Sequence, residues 1–324
     1  MGASHTQSLL YSMGVPLFPS GMPILGDVYW VDPAGLLPVG VGINGTVFTD
    51  IVEAYDKTVD GQGDVVFLVG GMTAASATAQ TARIEETLVW AKNHTHLRGI
   101  CAPTDISQRA RISTLASGTY APLLSITGSD CIFSNFSIFD NNTVDPVAVK
   151  VSGQRNYFGN VAMQGMGIAA GAADAAAASL WLAGGAENLF EGCSIGLDTI
   201  ARSAANAEIR CTAAATRNSF RDCRILSYCS AATHLFVDCS TSGSIDRYLE
   251  FIRCRFINYP TGIASGLTMT QGVNLHASAG GMLIGDMCTM FGATDVAAAD
   301  NGNVLWTNPA AAAGTAGLAV AVTR

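Results

Sequence analysis

Charged residues are scarce in this sequence. Of 324 residues, 17 are Lys or Arg and 25 are Asp or Glu, which together make up 13% of the chain, against about 25% in an average soluble domain. The net charge of −8 would repel the phosphates of a nucleic acid, so we expect no nucleic-acid partner. Because charged residues are depleted at the centres of protein interfaces, a surface this poor in charge favours self-association.

Long apolar runs are also missing, although 49% of the residues are apolar. No uninterrupted stretch approaches the roughly 20 residues of a membrane-spanning helix, so we expect no membrane partner. The first residues lack the basic start and the apolar segment of a secretory signal. This predicts a protein that is made and kept in a cytoplasm.

Motifs for metals and cofactors are absent as well. The nine cysteines, none of them in a C-x-x-C pair, are Cys101, Cys131, Cys193, Cys211, Cys223, Cys229, Cys239, Cys254 and Cys288. We therefore expect no cofactor and no zinc or redox centre. Cysteines stacked on neighbouring parallel strands would lie about 4.8 Å apart, beyond the roughly 3.5–4.5 Å between the Cβ atoms of a disulfide, so reduced thiols are expected.

His94 and His96 are the weak metal candidates. Two residues apart on a strand, they would share a face, and a threefold assembly could then hold a metal on its axis. Two surface imidazoles without a metal are the alternative.

A repeat of variable length runs from about residue 123 to residue 291, and it predicts the fold. Its clearest copies, in which an aromatic residue precedes a cysteine by three positions, are NLFEGCSI (188–195), NSFRDCRI (218–225) and YLEFIRCRF (248–256). Looser copies are DCIFSNFSIF (130–139), RNYFGNVAM (155–163) and GGMLIGDMCTMF (280–291). Aligning the copies gives two apolar positions, the first occupied by Phe133, Phe158, Phe190, Phe220, Phe251 and Ile284, and the second by Phe136, Val161, Cys193, Cys223, Cys254 and Met287.

Each copy has room for one coil of three short strands. Runs of strand-forming residues are broken by Gly, Asn, Asp or Ser, as turns require. Another short strand, such as SLWLAG (179–184) or AEIRCTA (207–213), precedes each aromatic. The sequence therefore predicts an all-β fold, a right-handed single-stranded parallel β-helix with both aligned positions stacked in an apolar interior.

The regions outside the coils are less regular. We divide the chain into an N-terminal arm or anchor (1–25), an N-terminal cap with the first coils (26–122), the β-helix coils (123–309) and a C-terminal tail (310–324). Residues 46–59 have helical spacing and would form a short capping helix over the open end of the stack.

Further elements are predicted from local composition. GDVYWVDPAG (26–35) and GDVVFLVGG (63–71) are predicted strands, and residues 86–103 are expected to form two strands. The small residues of 166–179 predict a loop.

The segments GDVYWVDPAG and GDVVFLVGG, followed by coils of the form N-x-F-x-x-C-x-I, carry a family resemblance. Over nearly its whole length the chain resembles the β-helical virion proteins of tailed bacteriophages. The residue pattern of its coils is also similar to that of the pectate-lyase-like superfamily. The resemblance implies a homotrimer in a phage particle, made in the host cytoplasm, with the major capsid protein or other virion proteins as partners.

Three functions remain open. The leading hypothesis is a virion structural protein without catalysis, either a capsid decoration or a head spike. The first alternative is a tailspike-type protein that binds or depolymerises a host surface glycan. The second is a carbohydrate-binding module without turnover, for which Trp181 and Tyr259 are the candidate aromatic residues.

No catalytic residue is predicted, since hydrolysis of a polysaccharide needs two carboxylates in one groove and no adjacent Asp pair occurs. The acidic residues that could approach one another on adjacent coils are Glu191, Asp222, Asp238, Asp246 and Glu250. A solvated surface is the simpler interpretation of them.

Lyase chemistry would need a basic residue beside carboxylates. The arginines close to Asp222 in the sequence are Arg221, Arg224, Arg253 and Arg255. Such a grouping is also typical of surface ion pairs.

Overall fold

The computed structural model describes residues 11–12, 15–16, 25–35, 37, 46–71, 81–115, 120–259, 266–298 and 303–307. Apart from a short antiparallel pair, Tyr11–Ser12 (β1) with Val15–Pro16 (β2), the strands belong to three parallel sheets. From residue 88 onward the chain runs through sheet 1, then sheet 2, then sheet 3, and climbs by one strand per circuit. The predicted right-handed parallel β-helix is confirmed.

The three sheets differ in length. Sheet 1 consists of β7 (Leu88–Trp90), β10 (Leu124–Ile126), β13 (Val147–Val151), β16 (Ala178–Ala183), β19 (Ala207–Thr212), β22 (Leu235–Cys239), β25 (Met269–Leu275) and β28 (Ala293–Ala297). Sheet 2 consists of β3 (Val28–Val31), β4 (Thr46–Phe48), β5 (Val65–Val69), β8 (His96–Ile100), β11 (Ile132–Ser134), β14 (Tyr157–Gly159), β17 (Leu189–Glu191), β20 (Ala215–Arg221), β23 (Ile245–Ile252), β26 (Gly281–Asp286) and β29 (Asn303–Trp306). Sheet 3 consists of β6 (Thr81–Ile84), β9 (Arg111–Thr114), β12 (Ser137–Phe139), β15 (Ala162–Gln164), β18 (Ser194–Gly196), β21 (Arg224–Ser227), β24 (Arg255–Asn258) and β27 (Thr289–Phe291).

A tight bend of two residues joins sheet 2 to sheet 3 in each repeated coil. One of the two residues has a positive φ between 50° and 60°, and the residues concerned are Asn135, Asn160, Gly192, Asp222, Arg253 and Met287. Asn, Asp and Gly adopt this left-handed conformation more readily than other residues. The bend turns the chain so that the apolar residues on both of its sides point into the tube.

The first aligned position forms a column of stacked rings. Phe133, Phe158, Phe190, Phe220 and Phe251 are buried and pair in register on successive strands of sheet 2. Their ring centroids are 4.4–4.9 Å apart and the rings are tilted by only 7–16°. Each ring contact adds about 0.5–1.5 kcal/mol to the stabilisation from burial.

The sixth member of this column was predicted one residue out of register. Ile284 pairs with Glu250 on the outer face, whereas Gly285 pairs with Phe251. A Cβ atom at Gly285 would lie 2.3 Å from the ring of Trp306. The interior volume is thus filled by Trp306 from the next coil, and no aromatic at position 285 marks the register in the sequence.

The second aligned position forms a column that becomes a stack of thiols. Phe136, Val161, Cys193, Cys223 and Cys254 are all buried. The one-residue slip in the last coil also applies here, so the predicted Met287 is 55% exposed and Cys288 takes the buried place.

The stacked thiols share one hydrogen-bonding pattern. Each donates to the carbonyl oxygen of the ring residue one coil below, for example Cys223 to Phe190 at 3.4 Å and Cys254 to Phe220 at 3.4 Å. All nine cysteines have free thiols, and eight are buried. Burial raises the pKa of Cys223, which makes this thiol a poor nucleophile.

Buried asparagines fix the corner between sheets 1 and 2. Asn156, Asn188 and Asn218 stack on three successive coils. The side-chain oxygen of each accepts the backbone N–H of a residue one coil below, with Asn188 serving Asn156 at 2.9 Å and Asn218 serving Asn188 at 3.1 Å. These bonds satisfy peptide groups at the corner, where the strand ladder is interrupted.

The N-terminal end is covered by a helix, although it is shorter than the predicted range. Residues 46–48 form a strand, and helix α1 spans Ile51–Lys57 with Asp50 as N-cap, whose carboxylate accepts the N–H of Val52 at 2.7 Å. Tyr55 packs on Trp90 at 4.3 Å. Trp90 belongs to the terminal strand of sheet 1, so the helix closes the apolar interior.

The remaining predictions have mixed outcomes. The strands at 26–35, 63–71 and 86–103 are present, but the small-residue segment predicted as a loop contains a short helix, α2 (Ala169–Ala172). The tail 310–324 and most of the arm 1–25 lie outside the described residues. Neither helix in the described part of the chain is long and apolar enough to span a membrane.

Candidate functional site

Sheet 1 carries a continuous row of half-buried side chains with chemical function on its outer face. These residues pair in register on six successive strands. They are Ser125, Lys150, Trp181, Arg210, Asp238 and Asn274, and we call them the outer row.

Two cations enclose the ring of Trp181 in this row. The Lys150 ammonium and the Arg210 guanidinium carbon each lie 4.2 Å from the ring centroid. Because Lys150 belongs to the strand on one side and Arg210 to the strand on the other, the cations cover opposite faces of the ring. The indole N–H donates to the hydroxyl of Thr212 at 2.8 Å, which fixes the orientation of the ring.

Arg210 sits among acidic residues. Burial lowers the pKa of Arg210, and the charges of Asp238, Asp145 and Asp174 oppose this shift. The guanidinium donates to the carbonyl of Ala176 through Nη1, while Nε is buried without a hydrogen-bond partner. The row therefore places a partly desolvated cation beside a carboxylate.

A buried ionic cluster holds the loops at the edge of the outer row. Arg202 and Glu208 are completely buried and form an ion pair at 2.8 Å. Burial alone would raise the pKa of Glu208, but the charges and hydrogen bonds of Arg202 and His234 together outweigh burial and lower it. The Ser179 hydroxyl donates to the other carboxylate oxygen at 2.6 Å.

His234 and Asn206 extend this cluster. His234 is completely buried, burial lowers its pKa, and its Nδ1 lies 2.7 Å from Oδ1 of Asn206. The amide of Asn206 donates to the carbonyls of Ala172 and Asp174 at 3.0 and 2.8 Å. Since Glu208 and Ser179 are two residues from Arg210 and Trp181, the cluster makes a rigid border for the outer row.

The acidic residues singled out in the sequence do not converge. Glu191 and Glu250 lie on the outer face of sheet 2, where Glu191 accepts the Tyr157 hydroxyl and Glu250 that of Ser219. Asp222 is at a bend and Asp246 is at the start of β23 next to Arg247. Only Asp238 joins the outer row, so no pair of these carboxylates forms a hydrolytic site.

The arginines near Asp222 are also dispersed. Arg253 forms two hydrogen bonds with Asp222, at 2.8 and 2.7 Å, and Arg224 pairs with Asp105. Arg221 and Arg255 point outward from sheets 2 and 3. Arg224 and Arg253 are thus engaged in surface ion pairs.

The two candidate aromatic residues lie on different faces. Tyr259 follows β24 of sheet 3 and is 36% exposed, whereas the outer row lies on sheet 1. Trp181 lies in the outer row, but its two faces are occupied by cations. It therefore cannot serve as the open stacking surface that the sequence suggested.

The histidines do not share a strand face as predicted. His94 is in a turn with φ of 49°, because the strand begins only at His96. Both line a depression of about 730 Å³ on sheet 2, where His94 lies 4.0 Å from Asp130 and Nδ1 of His96 accepts the N–H of Ile132 at 3.0 Å. Burial lowers the pKa of His96 to about 4. Within the described ranges no three His, Cys, Asp or Glu residues are placed to hold a metal.

Lys150 and Arg210 were missed in the sequence. Aligning VAVKV (147–151), ASLWL (178–182) and AEIRC (207–211) places Lys150, Trp181 and Arg210 at one position. A single cation between apolar residues of a short strand is the signal that identifies this outward-facing row.

The chain is similar in fold to solved structures of enzymes that act on polysaccharides. A pectin methylesterase from Aspergillus niger matches with a TM-score of 0.53 and 15% identity, over 91% of this chain and 88% of that chain. The pectate lyase Pel9A matches with a TM-score of 0.55 and 14% identity, over 86% and 68%. An alginate lyase from a Paenibacillus strain matches with a TM-score of 0.50 and 11% identity, over 84% and 95%. No protein-family model and no curated protein matches the sequence.

These similarities show the fold, a pectate-lyase-like parallel β-helix. Most of the similar structures are polysaccharide-modifying enzymes. The expectation of a protein without catalysis is therefore wrong as an inference from this fold.

Proposed function

We propose that the chain binds an anionic polysaccharide along the outer row and cleaves it. The observation that carries this proposal is the enclosure of Trp181 between Lys150 and Arg210, with Asp238 on the next strand. Lys150 and Arg210 are two strands apart, or about 9.6 Å along the stack. That distance spans roughly two sugar units, so both cations can meet carboxylates of one extended chain. Pectate and alginate, the substrates named for two of the similar enzymes, are polysaccharides of this charge type.

The groups in the row favour elimination over hydrolysis. A base removes the proton on the carbon next to the sugar carboxylate, the electron pair forms a carbon–carbon double bond, and the glycosidic oxygen leaves and takes up a proton. A cation beside the carboxylate stabilises the charge that develops there. Arg210 is assigned the base role because burial lowers its pKa, and Lys150, two strands away, holds the carboxylate of another sugar unit of the same chain.

The test is a depolymerisation assay on the purified full chain with polygalacturonate and alginate, and with dextran as a neutral control. We expect products with an unsaturated end, detected by ultraviolet absorbance, from an anionic polymer only. Lys150→Gln and Arg210→Gln should each lower the rate by about 100-fold or more, the usual effect of losing one charge-stabilising group. Arg253→Gln, which removes an exposed arginine at a bend, is the matched control.

Other results would overturn the proposal. Reducing ends without unsaturated products would replace elimination by hydrolysis. Failure to bind or cleave any anionic polymer would remove the outer row from the function. So would Lys150→Gln and Arg210→Gln variants that are as active as the unchanged protein.

We further propose that this activity belongs to a homotrimer on a phage particle, where it would act on a host surface glycan. The support is the resemblance of the coils to phage virion proteins and the low charge of the chain, which favours self-association. Mass measurement in solution should return three chains, and mass spectrometry of purified particles should detect the chain. A monomer in solution or particles without the chain would contradict this placement.

A further inference from the structure

Sheet 2 has a second cavity on its outer face, a slot of about 460 Å³. Its floor consists of Ser134 and Gly159, which pair in register on neighbouring strands. Arg98 borders the floor on one side and Glu191 on the other, each one strand further along the same register. The slot is therefore two small residues wide, with opposite charges at its two ends.

Gly159 allows a tyrosine to form one wall of the slot. A Cβ atom at this position would lie 2.7 Å from the ring of Tyr157, so only glycine lets the ring lie along the sheet. The Tyr157 hydroxyl donates to Oε2 of Glu191 at 2.8 Å. Burial and the neighbouring carboxylate raise the pKa of Tyr157, which keeps this hydroxyl protonated and the carboxylate in place.

Arg98 lacks the partner that a half-buried cation usually has. Burial lowers its pKa, and within the described residues it forms no ion pair. Its Nε and the hydroxyl of Ser134, side by side in register, are buried without hydrogen-bond partners. Unsatisfied polar groups at one end of a cavity indicate that an acceptor can bind there.

The rim of the slot is preformed. Asn135 and Asn160 occupy consecutive bends, and the amide of Asn160 donates to Oδ1 of Asn135 at 2.9 Å. Asn135 in turn donates to the carbonyls of Gly99 and Cys101 at 3.0 and 2.9 Å. A ligand would therefore meet fixed side chains and lose little affinity to ordering them.

We propose that this slot binds one carboxylated sugar unit, separately from the outer row. The sugar carboxylate pairs with Arg98, the ring packs on Tyr157 above Ser134 and Gly159, and hydroxyl groups donate to Glu191. Arg98 and Glu191 are three strand spacings apart, about 14.4 Å, and their side chains border a floor of two small residues that leaves room for one pyranose ring with its substituents. The site holds a terminal or branching acidic sugar and does not cleave it. It therefore adds a recognition function on sheet 2, a different face from the outer row on sheet 1.

The test is calorimetric titration of the full chain with free galacturonic acid and N-acetylneuraminic acid, with galactose and the methyl ester of galacturonic acid as uncharged controls. At least one acid should bind, and the uncharged controls should bind at least tenfold more weakly. Arg98→Gln should raise the dissociation constant at least tenfold, and Arg98→Lys should restore part of the affinity. Glu191→Gln should weaken binding less, because the amide oxygen still accepts a hydrogen bond.

Lys150→Gln separates this inference from the proposed function. It should leave monosaccharide binding unchanged while it weakens polymer binding, and Arg98→Gln should do the reverse. Thermal melts establish that each variant is folded. Equal affinity for the acid and its methyl ester, no binding of either acid, or monosaccharide binding that depends on Lys150 and not on Arg98 would overturn the slot as the site.

Discussion

The inside of the tube and its outer faces follow different rules. Inside, the same residue type recurs on coil after coil, as in the five stacked phenylalanines and the stacked thiols. Outside, each strand contributes a different side chain at the same register, as in the step from Lys150 to Trp181 to Arg210. Repetition provides stability, and departures from repetition provide chemistry.

The difference has a physical origin. Parallel strands bring equivalent positions to about 4.8 Å from one another, so an interior position meets its own kind and apolar residues satisfy one another. On the outer face, identical charges at this spacing would repel. Alternation of a cation, an aromatic ring, a cation and a carboxylate avoids this repulsion. It also makes the two ends of the row chemically different.

The largest effect is expected from breaking the interior column. Phe220→Asp places a carboxylate between Phe190 and Phe251, where no partner exists for it. We expect a loss of more than about 4 kcal/mol in the free energy of unfolding, from the lost ring and the buried charge. Chemical denaturation followed by circular dichroism measures it.

Phe220→Leu is the matched control for this variant. It keeps an apolar side chain of similar size and should cost about 1–2 kcal/mol. If Phe220→Asp retained the full cooperative transition of the unchanged protein, the column would not hold the coils together.

The same contrast explains what could be predicted from sequence. The fold and the five-ring column could be predicted because the same residue type recurs at the aligned position, which is occupied by Phe133, Phe158, Phe190, Phe220 and Phe251. The last coil was misaligned because Gly285 leaves its space to Trp306, a residue 21 positions later. No local pattern records a contact of this kind.

The candidate site was harder to predict because function does not repeat. Trp181 was identified for its aromatic ring alone, and its cationic neighbours come from strands about 30 residues away on either side. The border formed by Arg202, Glu208 and His234 joins two segments of the chain that are 26 residues apart. These residues can be recognised as neighbours only when the strand register is known.

An intermediate effect is expected at Asp140, a polar residue where the interior rule is broken. Asp140 is completely buried after β12, and burial raises its pKa to about 6. Oδ1 accepts the N–H of Asn142 at 2.9 Å, while Oδ2 and the side-chain oxygen of Asn142 have no hydrogen-bond partner. The native state therefore favours the protonated carboxyl.

The sign of the pH dependence follows from this raised pKa. The contribution of Asp140 to stability is fully present below the ordinary pKa of about 3.9 and is lost as the pH rises through about 6. Asp140→Asn should raise the free energy of unfolding at pH 8 by up to about 3 kcal/mol, with no gain at pH 4. Its amide can also donate to the unpartnered oxygen of Asn142.

Thermal melts of both proteins at pH 4, 6 and 8 measure this effect. Asp140→Ala is the control, since it removes the ionisation without supplying a donor and should gain less at pH 8. An equal shift in melting temperature at all three pH values would show that ionisation of Asp140 is not the cause.

The smallest effect is expected from an ion pair on the outside, Asp222 with Arg253. The pair has two short hydrogen bonds, yet its side chains are 48% and 51% exposed. Water screens the attraction, and holding two mobile side chains in one arrangement costs entropy, so such pairs contribute little to stability. Arg253→Gln should leave the melting temperature at neutral pH unchanged.

The same variant should nevertheless alter the titration of its partner. The hydrogen bond from Arg253 lowers the pKa of Asp222, so the small stabilisation that it gives is present above the ordinary pKa and is lost as the pH falls. In Arg253→Gln the pKa of Asp222, followed by carboxyl NMR, should rise to the ordinary value. A drop of several degrees in melting temperature would show that outer pairs share the structural role of the interior columns. An unchanged melting temperature with a shifted pKa of Asp222 would instead show that this pair, like the outer row, is not among the contacts that hold the coils together. Outer positions are then free to vary from strand to strand, because the stability of the coils does not depend on them.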